Sequence, residues 1–250
     1  MDFYTGAYPA HYGDRMSGVL SIEMREPRKP VETELALSFF NASLLSTGTF
    51  GDGEQGDWLL SARRGNLDLI ADVIDPEFGS PDYQDYLGHV GWTFGPRAQL
   101  SANFLVSNDK LTLVDPERGE RATAAYRNQV GWLKWRADWS QSLQSVSILS
   151  LSDITNRRAG ELALPGIVAG NLDDASDFSA LEFRQDWRWI VSEAAMLRFG
   201  FNLKSLDATY RFSSEQTVLA PFDSILDNGP STARDFDLSP AGAQYAAYTE

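Results

Sequence analysis

Along Ser179–Trp189, "SALEFRQDWRW", the large apolar side chains Leu181, Phe183, Trp187 and Trp189 share one parity, and Glu182, Arg184, Asp186 and Arg188 share the other. A period of two is that of a β-strand, whose successive side chains point to opposite faces. After the short link "IVSEAA", the segment "MLRFGFNLK" repeats the pattern, with Leu197, Phe199, Phe201 and Leu203 alternating with Arg198, Gly200, Asn202 and Lys204. Together they predict an antiparallel hairpin with one apolar and one charged face.

The same reading predicts strands near Val31–Phe39, Ser43–Phe50, Trp58–Ile70, Tyr83–Phe94, Ala98–Val106, Asn128–Trp139 and Gln144–Ser152, and a last one starting at Tyr245. In Asn128–Trp139, Lys134 and Arg136 fall on the parity opposite Leu133, Trp135, Ala137 and Trp139, which assigns the two cations to the polar face. Gln144–Ser152 is less regular: Val146 and Ile148 lie on one parity and Leu149 and Leu151 on the other, and a bulge or an extended loop stem would produce such a switch.

Connections alternate in length. "GDGEQGD", "GPR", "SQSL" and "IVSEAA" are short, whereas Ala71–Asp82, Ser107–Arg127, Asp153–Phe178 and Ser205–Gln244 read as long loops. Half-buried sheets of soluble proteins also alternate, so the period leaves two readings open, a soluble β-sheet or the wall of a membrane barrel. Short turns at one end and long loops at the other are the layout of an outer-membrane barrel. The tryptophans agree, because Trp58, Trp92, Trp135, Trp139, Trp187 and Trp189 all fall beside the short connections. Indole rings favour the membrane–water interface, so these six are the candidate interface girdle.

Composition narrows the function classes. The net charge of -14 and the lack of an extended basic run argue against a nucleic-acid partner. With no cysteine there is no disulfide, thiolate nucleophile or cysteine-based zinc site. The two histidines, His11 and His89, are far apart and lack metal-ligand spacing, and no G-x-S-x-G accompanies the many serines, so neither enzyme chemistry nor a metal or other cofactor is expected. The carboxylates of "NLDDASD", Asp173, Asp174 and Asp177, are read as solvated loop residues rather than a Ca²⁺ site.

The opening segment, "YPAHYGDRMSGVLSIEMREP", resembles the end of the plug domain in TonB-dependent outer-membrane receptors through Pro9, Ala10, Tyr12, Gly13, Arg15, Ser17, Gly18 and Val19. "WLLSARR" at Trp58–Arg64 and "PDYQDYLGHVGWTFGPRAQLSANFLVSND" are similar to barrel strands and a periplasmic turn of the same family. The resemblance implies the end of a plug and link over residues 1–30, followed over 31–250 by about ten strands of a larger antiparallel transmembrane β-barrel, the chain being a fragment of the whole receptor. It implies a place in the bacterial outer membrane, with membrane lipid, a solute and the TonB energy-coupling complex as partners, the last reached through an N-terminal region outside this chain. The expected function is energised uptake of a siderophore, a cobalamin, or a saccharide or peptide. A passive outer-membrane channel or structural barrel, and a soluble all-β binding module, are the alternatives.

By that resemblance Tyr12, Gly13, Arg15 and Gly18 are plug-motif and gate candidates. Arg15 reads either as a cation pairing the plug with a carboxylate of the wall or as a turn residue beside Gly13. Arg63, Glu182, Arg184, Asp186, Arg188, Arg198 and Lys204 are the lumen-facing candidates; the last six read either as contacts to plug or solute or, the preferred reading, as charges that pair across their hairpin.

Overall fold

The computed structural model describes residues 2–6, 9–12, 18–21, 27, 29–51, 55–67, 79–115, 119–164, 166–225 and 231–250. Two short strands, β1 (Asp2–Tyr4) and β2 (Val19–Ser21), pair antiparallel in a small sheet of their own. Every described strand from Val31 onward belongs to one antiparallel sheet. Its strands are β3 (Val31–Leu37), β4 (Asn41–Phe50), β5 (Gly56–Gly65), β6 (Ser80–Phe94), β7 (Ala98–Asp115), β8 (Glu120–Asp138), β9 (Leu143–Leu164), β10 (Val168–Ser192), β11 (Ala195–Val218), β12 (Ser231–Leu238) and β13 (Ala241–Thr249).

Each strand from β3 to β11 pairs with its sequence neighbours, a meander in which every connection is a hairpin. β12 and β13 both pair with β11, and the pairs Tyr210–Leu238 and Asp207–Ala241 keep a single register. They are one strand interrupted at Pro240, which has no N–H for the ladder but whose carbonyl accepts from Ala208 N–H at 2.9 Å. The eleven strands of the sheet therefore occupy ten positions, β3 to β11 and the collinear β12–β13. The sheet is open: among the described residues no strand pairs with the outer edge of β3 or of β12–β13.

Turn chemistry sets one rim. Gly95 takes a φ of 63°, a conformation costly for any side chain with a Cβ, and opens the 3-10 turn Gly95–Arg97 between β6 and β7. In 139–142 the Ser140 hydroxyl accepts from the N–H groups of Ser142 and Leu143, at 3.2 and 3.0 Å, and closes the β8–β9 hairpin. The connections β4–β5, β6–β7, β8–β9 and β10–β11 all lie at this rim, as the sequence predicted.

At the opposite rim the structure departs from the sequence reading. Most of the residues read as long loops continue the strands: β7 runs to Asp115, β9 to Leu164, β10 starts at Val168 and β12 at Ser231. β10 reaches 25 residues, roughly 80 Å at the usual strand rise. The Asp- and Ser-rich composition of these segments hid strands that cross-strand pairing, not burial of one apolar face, holds in place. The suspected bulge in Gln144–Ser152 is absent, since β9 keeps unbroken register with β8 and β10 throughout. The register shift between β10 and β11 comes at Ile190/Ser192, beside the turn.

One layer gives almost no core. Leu59, Ala137, Val168, Ala175 and Ala180 are the buried apolar residues among those described, and no large side chain is fully enclosed. The chain exposes 17105 Å² against roughly 11,000 Å² for a compact monomer of this length. What such a sheet offers to its surroundings is its two faces.

Candidate functional site

Register assigns each residue to a face. On one face, near the short-turn rim, lie Phe50 of β4, Trp58 and Leu60 of β5, Trp92 and Val90 of β6, Leu100 and Phe104 of β7, Trp135 and Leu133 of β8, Leu149 and Leu151 of β9, Trp187 and Phe183 of β10, and Phe199 and Phe201 of β11. Their rings pack along the rim: Phe50 on Trp92 at 5.1 Å between centroids, Phe94 on Trp135 at 5.8 Å, Trp139 on Trp187 at 6.2 Å, and Trp187 on Phe199 at 6.3 Å with planes 8° apart. The six tryptophans picked out by the sequence, Trp58, Trp92, Trp135, Trp139, Trp187 and Trp189, all belong to this face. Trp132 does not, because it alternates with Gly131 and Leu133 and points to the other side. Trp92, Trp139 and Trp189 are 50%, 58% and 44% exposed, so these parts of the aromatic rim lie uncovered among the described residues.

The few polar groups on the apolar face satisfy one another. Ser145, only 3% exposed, accepts from the Trp139 indole N–H at 2.9 Å. The Ser147 hydroxyl donates to Gln185 Oε1 at 2.6 Å across the β9–β10 pair. Such mutual pairing is what polar atoms need when their side of the sheet meets no water.

The other face is charged and internally paired. Glu182 meets Lys204 at 3.1 Å and accepts from the Asn202 amide at 2.6 Å. Asp186 accepts from Arg184 Nε at 2.7 Å and from the Tyr248 hydroxyl at 2.7 Å, which ties β13 to β10 across β11. Arg188 and Arg198 stand opposite each other in the register, and each turns to another group, Arg188 Nε to the Met196 sulfur at 3.0 Å and Arg198 to Glu250 at 3.8 Å. The expected cross-hairpin pairing thus holds for Glu182 and Lys204, while Arg184 pairs along its own strand. Val146 and Ile148, the residues behind the irregular pattern of β9, sit on this face between Arg136 and Asp186 and between Lys134 and Arg184. There the long aliphatic stems of the basic side chains give them apolar neighbours.

Farther along the same face Arg63 pairs with Asp85 through Nε at 2.9 Å and through Nη2, with its guanidinium 5.4 Å from the centre of the Tyr83 ring. His89 lies between the Asp57 carboxylate, 3.0 Å from Nε2, and Asn103 Oδ1, 2.7 Å from Nδ1. Asn103 is itself held by donating to Ser101 Oγ and to the Trp132 carbonyl. Only strand register brings Asp57, His89 and Asn103 together, so local sequence carried no signal for this group or for Tyr248 against Asp186.

Beyond the apolar band both faces become polar. Arg157 Nη2 donates to the two oxygens of Asp177 at 2.7 and 2.8 Å, Thr155 donates to Asp177 at 3.1 Å, and Arg158 pairs with Asp174. The acidic run read as a solvated loop is therefore strand, with two of its carboxylates in ion pairs. Among the described residues no three His, Asp or Glu side chains are grouped to hold a metal ion, and no helix is long and apolar enough to cross a membrane. Gly13 and Arg15 lie outside the described residues. Tyr12 closes a 3-10 turn at Ala10–Tyr12 that lies beside β13, with its ring 5.6 Å from that of Tyr4, and Gly18 precedes β2. No protein-family model, curated protein or solved structure matches the chain.

Proposed function

We propose that the sheet is part of the wall of a transmembrane β-barrel in a bacterial outer membrane, and that it belongs to a receptor of the TonB-dependent type that imports a scarce solute. The observation that carries this reading is the asymmetry of a single-layer sheet, one face an uncovered apolar band with stacked aromatics at the short-turn rim, the other a charged face with ion pairs along and across its strands. Leu181–Trp189 is nine residues, which fits the roughly 9–11 residues a tilted strand needs to span a bilayer. In this reading the apolar face meets lipid, the charged face lines the lumen, and the long ends of β7–β12 stand outside the cell as hairpins. A soluble sheet would leave the aromatic rim in water without a partner, a far larger apolar patch than monomers tolerate.

The step from barrel to energised receptor rests on the resemblance of Tyr8–Pro27 to the end of a plug. Residues 1–30 would then close the plug and residues 31–250 would form wall. The paired charges of the lumen offer no nucleophile with a base, and the proposed activity is binding and translocation rather than covalent chemistry. Outer-membrane lipid, the solute and the TonB complex are the proposed partners, with a siderophore, cobalamin, saccharide or peptide as the solute.

The test is uptake. A strain lacking the encoding gene and a strain lacking the energy-coupling complex are compared on a panel of labelled ferric siderophores, cobalamin and oligosaccharides. The same solute should fail to enter in both. Entry that needs this gene but not the coupling complex would assign a passive channel instead.

A further inference from the structure

Near the outer ends of β7–β11 the charged face sinks into a hollow. Register lines up Leu113, Ala122, Gly160, Leu172 and Ser214 in one row across these strands. The next row outward holds the facing pair Asp115 and Glu120, then Leu162, Gly170 and Gln216. Parity puts both rows on the face of Ser150 and Glu182, since no register shift interrupts the strands between. Together they bound a cavity of about 490 Å³, within the usual size of a small-ligand site. Its floor is low because Ala122, Gly160 and Gly170 carry little or no side chain. A Cβ on Gly160 would meet nothing nearer than the Arg121 carbonyl oxygen, 3.7 Å away.

The chemistry of the hollow changes along its length. At the β7–β8 end stand two carboxylates, of which Glu120 makes no hydrogen bond or ion pair among the described residues. Leu113, Leu162 and Leu172, 39%, 37% and 38% exposed, wall the middle. At the β11 end Ser214 and Gln216 offer a hydroxyl and an amide. Arg234, opposite Ser214 on β12, likewise has no ion pair among the described residues. One row inward, Arg158 and Asp174 neutralise each other. An acidic end, an apolar middle and a basic end thus follow one another on a line across the sheet.

We infer that this hollow takes a short apolar peptide as the solute, its terminal ammonium on Glu120 and its terminal carboxylate toward Arg234. Four strand spacings separate β8 from β12, about 19 Å. An extended peptide covers roughly 3.3–3.6 Å per residue, so five or six residues bridge the two ends. The peptide's side chains fill the space over Gly160 and Gly170 between the leucines. The competing solutes fit less well. An oligosaccharide would set its hydroxyls against three leucines, and an anionic chelate would meet Glu120 and Asp115. The inference rests on the receptor reading, which makes this face the lumen, and narrows its solute to one class.

The test uses the whole chain, reconstituted in phosphatidylcholine vesicles, with insertion of every variant read by quenching of tryptophan fluorescence by bromolipid. Binding of labelled Ala-Leu-Ala-Leu-Ala, of its N-acetyl form and of its C-terminal amide is measured by equilibrium dialysis, with protein-free vesicles as the blank. Native protein should bind the free peptide about tenfold more tightly than either blocked form, since each block removes one charge-assisted contact. Glu120→Gln should erase only the preference over the acetylated form, and Arg234→Gln only the preference over the amide. Gly160→Val, which fills the floor, should weaken binding of all three peptides. Equal affinity of inserted native protein for free and blocked peptides overturns the site and leaves the wall reading standing. Displacement of the peptide by equimolar maltopentaose or ferrichrome assigns the hollow to another solute class and also overturns it. Failure of the native chain to insert overturns the wall reading and this site with it.

Discussion

The Tyr248 hydroxyl donates to Asp186 Oδ1 at 2.7 Å although a whole strand, β11, lies between their backbones. Gly200 makes this possible. It stands between Asp186 and Tyr248 in the register, and a Cβ there would lie 2.8 Å from the Tyr248 ring and 2.9 Å from the Asp186 carboxylate. The bond therefore clamps the edge strand β13 to the second strand inward. Tyr248→Phe should lower the protection of β13 amides in hydrogen exchange by about 1.5–3 kcal/mol, the usual worth of a hydrogen bond to a charged group. Gly200→Val should lower it further by displacing the ring. Unchanged protection of β13 in both variants would show that the clamp is not what holds this edge.

Adjacent residues of β9 should respond in opposite ways to the same substitution. Leu149 lies on the apolar face and is 42% exposed, whereas Ser150 points to the charged face, level with Glu182 in the register. Leu149→Arg should block insertion into vesicles or cost about 2–4 kcal/mol of folded stability in lipid, as a cation on a lipid-facing strand does near mid-bilayer. Ser150→Arg should insert normally, since Glu182 can receive the new guanidinium. Bromolipid quenching of the tryptophans reads both variants, and equal behaviour of the two would contradict the assignment of faces.

The outer hairpin of β9 and β10 should loosen in acid. The hydrogen bonds from Arg157, ahead of that from Thr155, hold the Asp177 carboxyl below the usual carboxylate range. A carboxyl with a depressed folded-state value stabilises the fold above its unfolded value, about 3.9, and loses that contribution as the pH falls through the folded value. Hydrogen exchange of Asn156 and Ser176, measured from pH 6 downward after correction for intrinsic rates, should show the hairpin opening below about pH 4. Asp177→Asn should open it to a similar extent at pH 6 and flatten the dependence. A hairpin equally protected at pH 6 and pH 3 would rule out the pair as its staple.

How legible the fold was depends on what holds each segment. Leu181–Trp189 and Leu197–Leu203 announce themselves because one face carries large apolar residues without interruption, and Lys134 and Arg136 were assigned to the correct face by parity alone. The outer halves of β7–β12 lack that contrast. Asp174 and Asp177 lie on opposite faces of β10, each paired with an arginine of β9, so their polarity looks like a loop until the register is known. The same limit hid the groups of the charged face: Asp57, His89 and Asn103 come from three strands, and Tyr248 reaches Asp186 over a glycine. Local alternation predicts a face, whereas a side-chain pair depends on the offset between strands, which turn lengths and bulges set.

The polar pair within the apolar face offers the sharpest separation between lipid and water around the sheet. Ser147 donates to Gln185 Oε1 at 2.6 Å, and both lie among Leu149, Trp135, Phe183 and Trp187 on that face. In lipid, Ser147→Ala deprives the Gln185 amide of its donor and should cost about 1–3 kcal/mol, the penalty of an unsatisfied polar group. Replacing both, Ser147→Ala with Gln185→Leu, removes the need for the bond and should restore stability to the native level or above it. In water the glutamine would find solvent, so the single change would cost little and the double change would gain little. Unfolding of the reconstituted chain, followed by tryptophan fluorescence for the native protein, both single variants and the double variant, gives the coupling between the two positions directly. A coupling of about 1 kcal/mol or more marks the environment of this face as lipid, and a coupling near zero marks it as water.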